Sequence, residues 1–300
     1  MPRDQRNAPP RSAASRWALL DRGIVFDARL GAWASRRADT HFAYEFVRFG
    51  VKQAWACLFG ALMLILLIAT HLAYPKGAGL ARYDFLTLAA VAIQVAMLRF
   101  RLETREEAAV ILLFHAVGTA MEIFKTSVGS WVYPEASLLR IAGVPLFTGF
   151  MYAAIGSYIA RVWRLFDFQF TRHPPLWAVG LLALAIYVNF FAHHYVWDAR
   201  PLLFLGTALL FGRTWVHFKI WQVYRRMPLL VGFGLVALFI WFAENIGTFT
   251  AAWVYPSQKA SWHMVSTGKL GAWFLLMIIS YTLVAAVAGI EGHARVSRSG

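Results

Sequence analysis

Of the 300 residues, 59% are hydrophobic and 15% charged, against roughly one quarter charged in an average soluble domain. The formal net charge of +14 raises a nucleic-acid partner, but the basic residues lie between apolar runs rather than in a basic domain, so orientation in a bilayer explains them and no nucleic acid is expected. The single cysteine, Cys57, excludes an internal disulfide framework, and the predicted class is an all-α, polytopic transmembrane helical bundle.

Residues 1–40 form a basic tail with Pro2, Pro9 and Pro10, expected to be largely disordered and cytoplasmic. From His41 to Gln53 aromatic and basic residues mix, as in a helix lying along the headgroups. Eight apolar runs follow, each near the roughly 20 residues that cross a bilayer: Ala54 to Tyr74, Asp84 to Phe100, Glu107 to Phe124, Val144 to Trp163, Leu176 to Val196, Pro201 to Ile220, Leu229 to Phe249 and Lys269 to Ile290. Their continuity predicts helices rather than strands. Lys and Arg gather in the tail, in every second connection and at the C-terminus, which predicts both termini in the cytoplasm.

One stretch occurs twice. Glu122 to Pro134 reads EIFKTSVGSWVYP and Glu244 to Pro256 reads ENIGTFTAAWVYP, 122 residues on. The offset maps the first four runs onto the last four, so residues 41–168 and 169–290 are expected to be parallel repeats about an axis along the membrane normal. A short cytoplasmic tail, 291–300, follows.

Glu122 and Glu244 end apolar helices on the predicted outer side. An ionisable group at that depth normally faces protein or a wet cavity; the bland alternative is a carboxylate reaching the headgroups or pairing with Lys125 or His193. As a catalytic pair they would do acid and base work, with His115, two turns before Glu122, as a proton relay or a packing histidine. Trp131, Tyr133, Trp253 and Tyr255 suit an interfacial aromatic belt or lids that line a substrate site. Asn189 and Asn245 add hydrogen-bonding capacity for substrate, or helix-packing contacts. His71 and His193, each 51 residues before its Glu, would complete a site for a divalent metal with Glu122 and Glu244, joined by His194 and Asp198, although no close ligand spacing supports it. Arg161, Arg164, Arg213, Arg225 and Arg226 are expected to anchor in anionic headgroups. No phosphate loop, catalytic triad order or paired-cysteine motif is present.

The segments FHAVGTAMEIFKTSVGSWVYPE, GVPLFTGFMYAAIGSYIARVW, YVNFFAHHYVWDAR and IWFAENIGTFTAAWVYPSQ resemble the YoaT-like bacterial integral membrane family over about His41 to Gly289. That family is a domain of unknown function, so the resemblance implies a bacterial inner membrane and no activity. A looser resemblance, to carotenoid-biosynthesis membrane hydratases and cyclases, rests on Glu122, Gly129, Tyr133 and Gly143-Val144-Pro145. It would imply Glu122 as an acid, and the second half departs from it at Val265-Ser266-Thr267.

Two functions therefore stand side by side. One is acid and base chemistry by Glu122 and Glu244 on a lipophilic, isoprenoid-like small molecule at an outward-facing site. The other is a proton- or cation-coupled transporter or ligand-binding membrane protein that uses the same glutamates; membrane lipids are partners in both. A structural role with no small-molecule site would leave both glutamates facing lipid or paired with nearby cations.

Overall fold

The computed structural model describes residues 38–75 and 77–288, so most of the 1–40 tail and all of 291–300 lie outside the described residues. The chain forms two compact units, Met1–Val51 and Lys52–Gly300. Helix α1 (Ala38–Ala56) begins inside the predicted tail and covers the expected headgroup helix. Phe42, Phe46, Val47 and Val51 leave it exposed and apolar, Phe42 stacks on Phe46, and Arg48 donates to the Tyr44 hydroxyl at 2.8 Å.

The second unit is helical, with α2 (Leu58–Ala73), α3 (Arg82–Arg99), α4 (Arg105–Ser127), α5 (Phe147–Leu165), α6 (Leu176–Ala192), α7 (Arg200–Phe211), α8 (Leu229–Phe249) and α9 (Gly268–Ala288). Three helical stretches, Glu107–Ser127, Leu229–Phe249 and Gly268–Val287, are long and apolar enough to cross a bilayer, and a fourth is reached if α1 and α2 count as one broken span. Leu112, Leu209 and Phe239 are each at least 69% exposed, and such apolar outer faces suit lipid rather than water.

The predicted sixth run, Pro201 to Ile220, is not one helix. It turns at Gly212, where a Cβ would come 2.4 Å from the Ala208 carbonyl oxygen. The twelve residues of α7 reach only about 18 Å. Strand β4 (Trp215–Lys219) follows, pairing antiparallel with β3 (Gln169–Thr171) on one edge and β5 (Tyr224–Pro228) on the other. Trp215, Val216 and Phe218 favour a pleated surface, and the pairing satisfies backbone groups that the broken helix leaves open.

A smaller hairpin, β1 (Arg140–Ile141) with β2 (Val144–Pro145), turns through Ala142 at φ 47° and Gly143 at φ 83°. Two successive positive φ angles make a type I′ turn, which matches the twist of its strands; β2 then delivers the chain to α5.

The core centres on α4, α5, α6, α8 and α9, with Phe114, Ile159, Ile186, Phe233 and Ile278 buried. The α4–α5 contact is cut close by glycines: a Cβ on Gly118 would fall 2.6 Å from that of Tyr152, and one on Gly156 would fall 2.7 Å from the Phe114 ring. Small residues allow helix backbones this proximity, and α4 starts on a Thr104–Glu107 capping box. Arg161 corrects a further expectation. It is not a headgroup anchor but fully buried, paired with Glu103 at 2.7 Å, where Ser157 also donates at 2.9 Å. Arg164, half exposed, pairs with Glu107 at 3.0 Å.

Candidate functional site

Glu122 and Glu244 each lie five residues before the end of their helix, α4 and α8, and are only 5% and 4% exposed. The loop after each helix folds back over it. The two Trp-Val-Tyr-Pro segments meet: Val132 and Val254 exchange both backbone hydrogen bonds, at 3.0 and 2.9 Å. Buried residues at the head of α3 hold these loops. Arg82 pairs with Glu135 at 2.6 Å and donates to the Thr250 carbonyl at 3.0 Å, the Tyr83 hydroxyl donates to the Ala252 carbonyl at 3.1 Å, and Asp84 accepts from the Leu138 and Leu139 amides.

The folded-back loops aim their rings inward. Trp131 Nε1 donates to Glu122 Oε2 at 2.7 Å, the Tyr133 hydroxyl donates to the same oxygen, and the Tyr152 hydroxyl of α5 donates to Oε1 at 2.8 Å. Glu244 Oε1 accepts from the Tyr255 hydroxyl and Oε2 from Trp273 Nε1 of α9. Burial, then the neighbouring carboxylate, pushes the Tyr133 and Tyr255 hydroxyls well above the ordinary tyrosine range, so both remain protonated donors. Among the described residues neither Glu has an ion-pair partner.

The two cradles touch twice. Trp131, from the Glu122 cradle, meets Tyr255, from the Glu244 cradle, edge to face at 5.9 Å; Tyr152 meets Trp273 at 6.2 Å. The carboxylates and four rings thus close a circuit at the ends of α4, α5, α8 and α9. Lys269 of α9 sits against it, with Nζ 4.4 Å from the Tyr255 ring centre and 5.3 Å from that of Trp131. Below Tyr152 and Trp273 runs an apolar crevice lined by Phe114, Met121, Ile240 and Leu276 among others, with room for about one water molecule.

The other predicted residues fall elsewhere. His115 packs against Phe150, ring centres 4.5 Å apart, and does not join the hydrogen bonds to Glu122; its Nδ1 is buried and has no partner among the described residues. The proposed metal set is not assembled: among the described residues no group of three or more His, Cys, Asp and Glu side chains can hold an ion. His71 rests on Phe249, and His193 bonds its own helix at the Asn189 carbonyl, 2.9 Å away. Burial and the adjacent Lys125 push the His194 imidazole below its usual range, and that ring meets Lys125 Nζ at 2.7 Å. Lys125 is therefore no partner of Glu122. Asp198 is held down to about 2, chiefly by its hydrogen bond from Arg200.

Asn189 spends its oxygen on the Ala199 amide, and Asn245 spends its own on the Val265 amide, each at 2.9 Å, so both pin turns rather than line a site. Trp253 lies under Gly247, where a Cβ would fall 2.1 Å from its ring. The rings of Trp131 and Tyr255 are buried and spend their polar atoms on carboxylates, not on a membrane interface. Tyr152, Trp273 and Lys269 were not legible as site residues. Tyr152 lies 30 residues past Glu122 and Trp273 lies 29 past Glu244, so a strict repeat offset passes over both.

Three helices long and apolar enough to span a bilayer, with carboxylates buried near the ends of two of them, are those of a helical membrane protein. The chain belongs to DUF817, a family described as Protein of unknown function, which matches residues 45–281. Over 247 residues it is 43% identical to the uncharacterized protein YoaT of Bacillus subtilis (strain 168), an alignment that covers 82% of this chain and 93% of that one. No solved structure matches. These similarities agree with the YoaT-like resemblance and lend no support to the carotenoid-biosynthesis one.

Proposed function

We propose that this protein is a proton- or cation-coupled transporter or binding protein of the bacterial inner membrane, with Glu122 and Glu244 as its shared ion site. The observation that carries this reading is the closed circuit, in which donors to one carboxylate touch donors to the other. Two ionised carboxylates against one Lys269 leave one negative charge, which a proton or a monovalent cation would balance. A low-dielectric setting makes that balance worth several kcal/mol.

The proposed setting is eight membrane segments in two parallel four-helix repeats, with both termini cytoplasmic and the site facing outward. Several features support the repeat. Helices α2, α3, α4 and α5 stand at the positions of α6, α7, α8 and α9, and the contacts of α4 with α5, α2 with α5 and α2 with α3 recur as α8 with α9, α6 with α9 and α6 with α7. The mutual bridge of Val132 with Val254 joins equivalent residues, as a local twofold requires. The short α7 would reach the headgroups through β4, whose backbone is paired on both edges.

The test is a proteoliposome carrying the full chain and a pH-sensitive dye, with an imposed proton or sodium gradient. Wild-type protein should dissipate one of these gradients, and Glu122→Gln and Glu244→Gln should each slow it at least tenfold. Unchanged rates in both variants would remove the ion role. A second reading, from the burial of Glu122 among neutral donors, has it act as an acid on a lipophilic, isoprenoid-like molecule. Full conversion of such a substrate by Glu122→Gln would end that one.

A further inference from the structure

Lys269 is bound in a manner that its place in the fold does not require. It is the second residue of α9, just after exposed Ser266, Thr267 and Gly268, where a lysine has open water within reach. Its ammonium instead lies over two rings, both within the roughly 6 Å over which a cation is drawn to a π face. Those rings donate to Glu122 and Glu244, so the carboxylates lend them negative charge from behind. Lys125 offers a contrast within the same molecule: it lies 4.2 Å from the Phe190 ring centre, but its polar partner is His194 and a phenylalanine ring has no group to donate to a carboxylate.

Aromatic faces backed by buried carboxylates are the arrangement that recognises alkylammonium groups, because such ions are large, weakly hydrated and able to give up water for a π face. A small hydrated metal ion gains less there, and the described residues form no metal-ligand cluster. We propose that the Trp131–Tyr255 cage is a binding site for an organic ammonium cation, and that Lys269 is its tethered occupant, filling the cage when no ligand is bound. This rests on the ion-site reading above and adds the class of cation. The sequence around Lys269 suits displacement: the preceding residues are exposed, so the side chain can swing outward without unpacking α9.

The experiment titrates tetramethylammonium chloride into the full chain in nanodiscs, with sodium chloride as the ionic-strength control and heat as the readout. Lys269→Met should bind tetramethylammonium at least tenfold more tightly than wild type, Lys125→Met should bind like wild type, and Lys269→Met with Tyr255→Leu should lose the gain. A second measurement needs no variant: in wild-type protein, tetramethylammonium should raise the reactivity of the Lys269 amine toward an acylating reagent at least threefold, read by peptide mass spectrometry, while Lys125 stays constant. Equal affinities of Lys269→Met and wild type overturn the proposal. If Lys269→Met fails to fold, an unchanged Lys269 reactivity overturns it. Should ion dissipation depend on both glutamates while tetramethylammonium has neither effect, the ammonium assignment falls and the ion site stands; if the glutamate variants also behave as wild type, both fall.

Discussion

The two oxygens of Glu122 are not equally provided for, and the difference can be measured. Among the described residues Oε1 has only the Tyr152 hydroxyl, whereas Oε2 has both Trp131 and Tyr133. Tyr152→Phe removes the sole donor to a buried acceptor, which costs the desolvation of that oxygen, about 1–3 kcal/mol. Tyr133→Phe leaves Oε2 with the indole at 2.7 Å, so its cost is that of an ordinary hydrogen bond, about 0.5–1.5 kcal/mol. Both substitutions keep the ring, so packing contributes little to either. Glu122→Gln replaces the carboxyl by a neutral amide, and the cost of Tyr152→Phe in that background should fall by about 1 kcal/mol, the coupling expected of groups in direct contact. Equilibrium unfolding in mixed dodecyl maltoside and SDS micelles, followed by circular dichroism, gives all four corners of the cycle. A Tyr133→Phe as costly as Tyr152→Phe, or a Tyr152→Phe cost unaltered by Glu122→Gln, would refute the assignment of donors to oxygens.

Three further outcomes follow from the packing and charges. Gly118→Ala drives a methyl to 2.6 Å from Tyr152 Cβ and should cost about 1–3 kcal/mol, while Gly234→Ala in α8 meets nothing within 4 Å and should be neutral or stabilising by about 0.5–1 kcal/mol; equal melting temperatures for the two variants would contradict this contact. Glu103→Gln leaves Arg161 buried without its counter-charge and should destabilise by about 3–5 kcal/mol, whereas Arg164→Gln removes a half-exposed guanidinium from buried Glu107, which keeps the Thr104 amide, and should cost less, about 1–3 kcal/mol. Because Arg200 holds the folded-state value of Asp198 at about 2, below its ordinary 3.8, its contribution is complete above about pH 4 and is lost as pH falls toward 2; hydrogen exchange of the Ala199 and Arg200 amides should show local loosening in that window, and Asp198→Asn should flatten it.

The duplicated motif was legible because its two copies keep strict register, and the burial of Glu122 and Glu244 followed from the apolar runs they end. What the rings do was not legible. Trp131 and Tyr255 have the composition of an interfacial belt, and only the fold-back of each loop decides that their N–H and O–H face carboxylates instead of headgroups. The sixth run misled because hydropathy averages over a window: Val216 and Phe218 raise it, yet they alternate with His217 and Lys219, the period-2 signature of a strand. The histidines misled differently. His71 and His193 share a spacing to their glutamates, but equal spacing does not bring side chains together: His71 packs on Phe249 and His193 bonds the Asn189 carbonyl.

Equivalence of backbone has not meant equivalence of chemistry. Val132 and Val254 bridge each other, but Glu122 accepts from three donors and Glu244 from two. Lys269 has Phe147 as its counterpart in the first half, and His115 has Ala237 in the second. Of the two rings under it, Lys269 lies nearer Tyr255, the donor to the less provided carboxylate, Glu244. A strictly symmetric pair would repel equally and would divide any cation evenly between its two sides. Under the ion-site proposal, a cation displacing Lys269 would take its place over the ring that donates to Glu244.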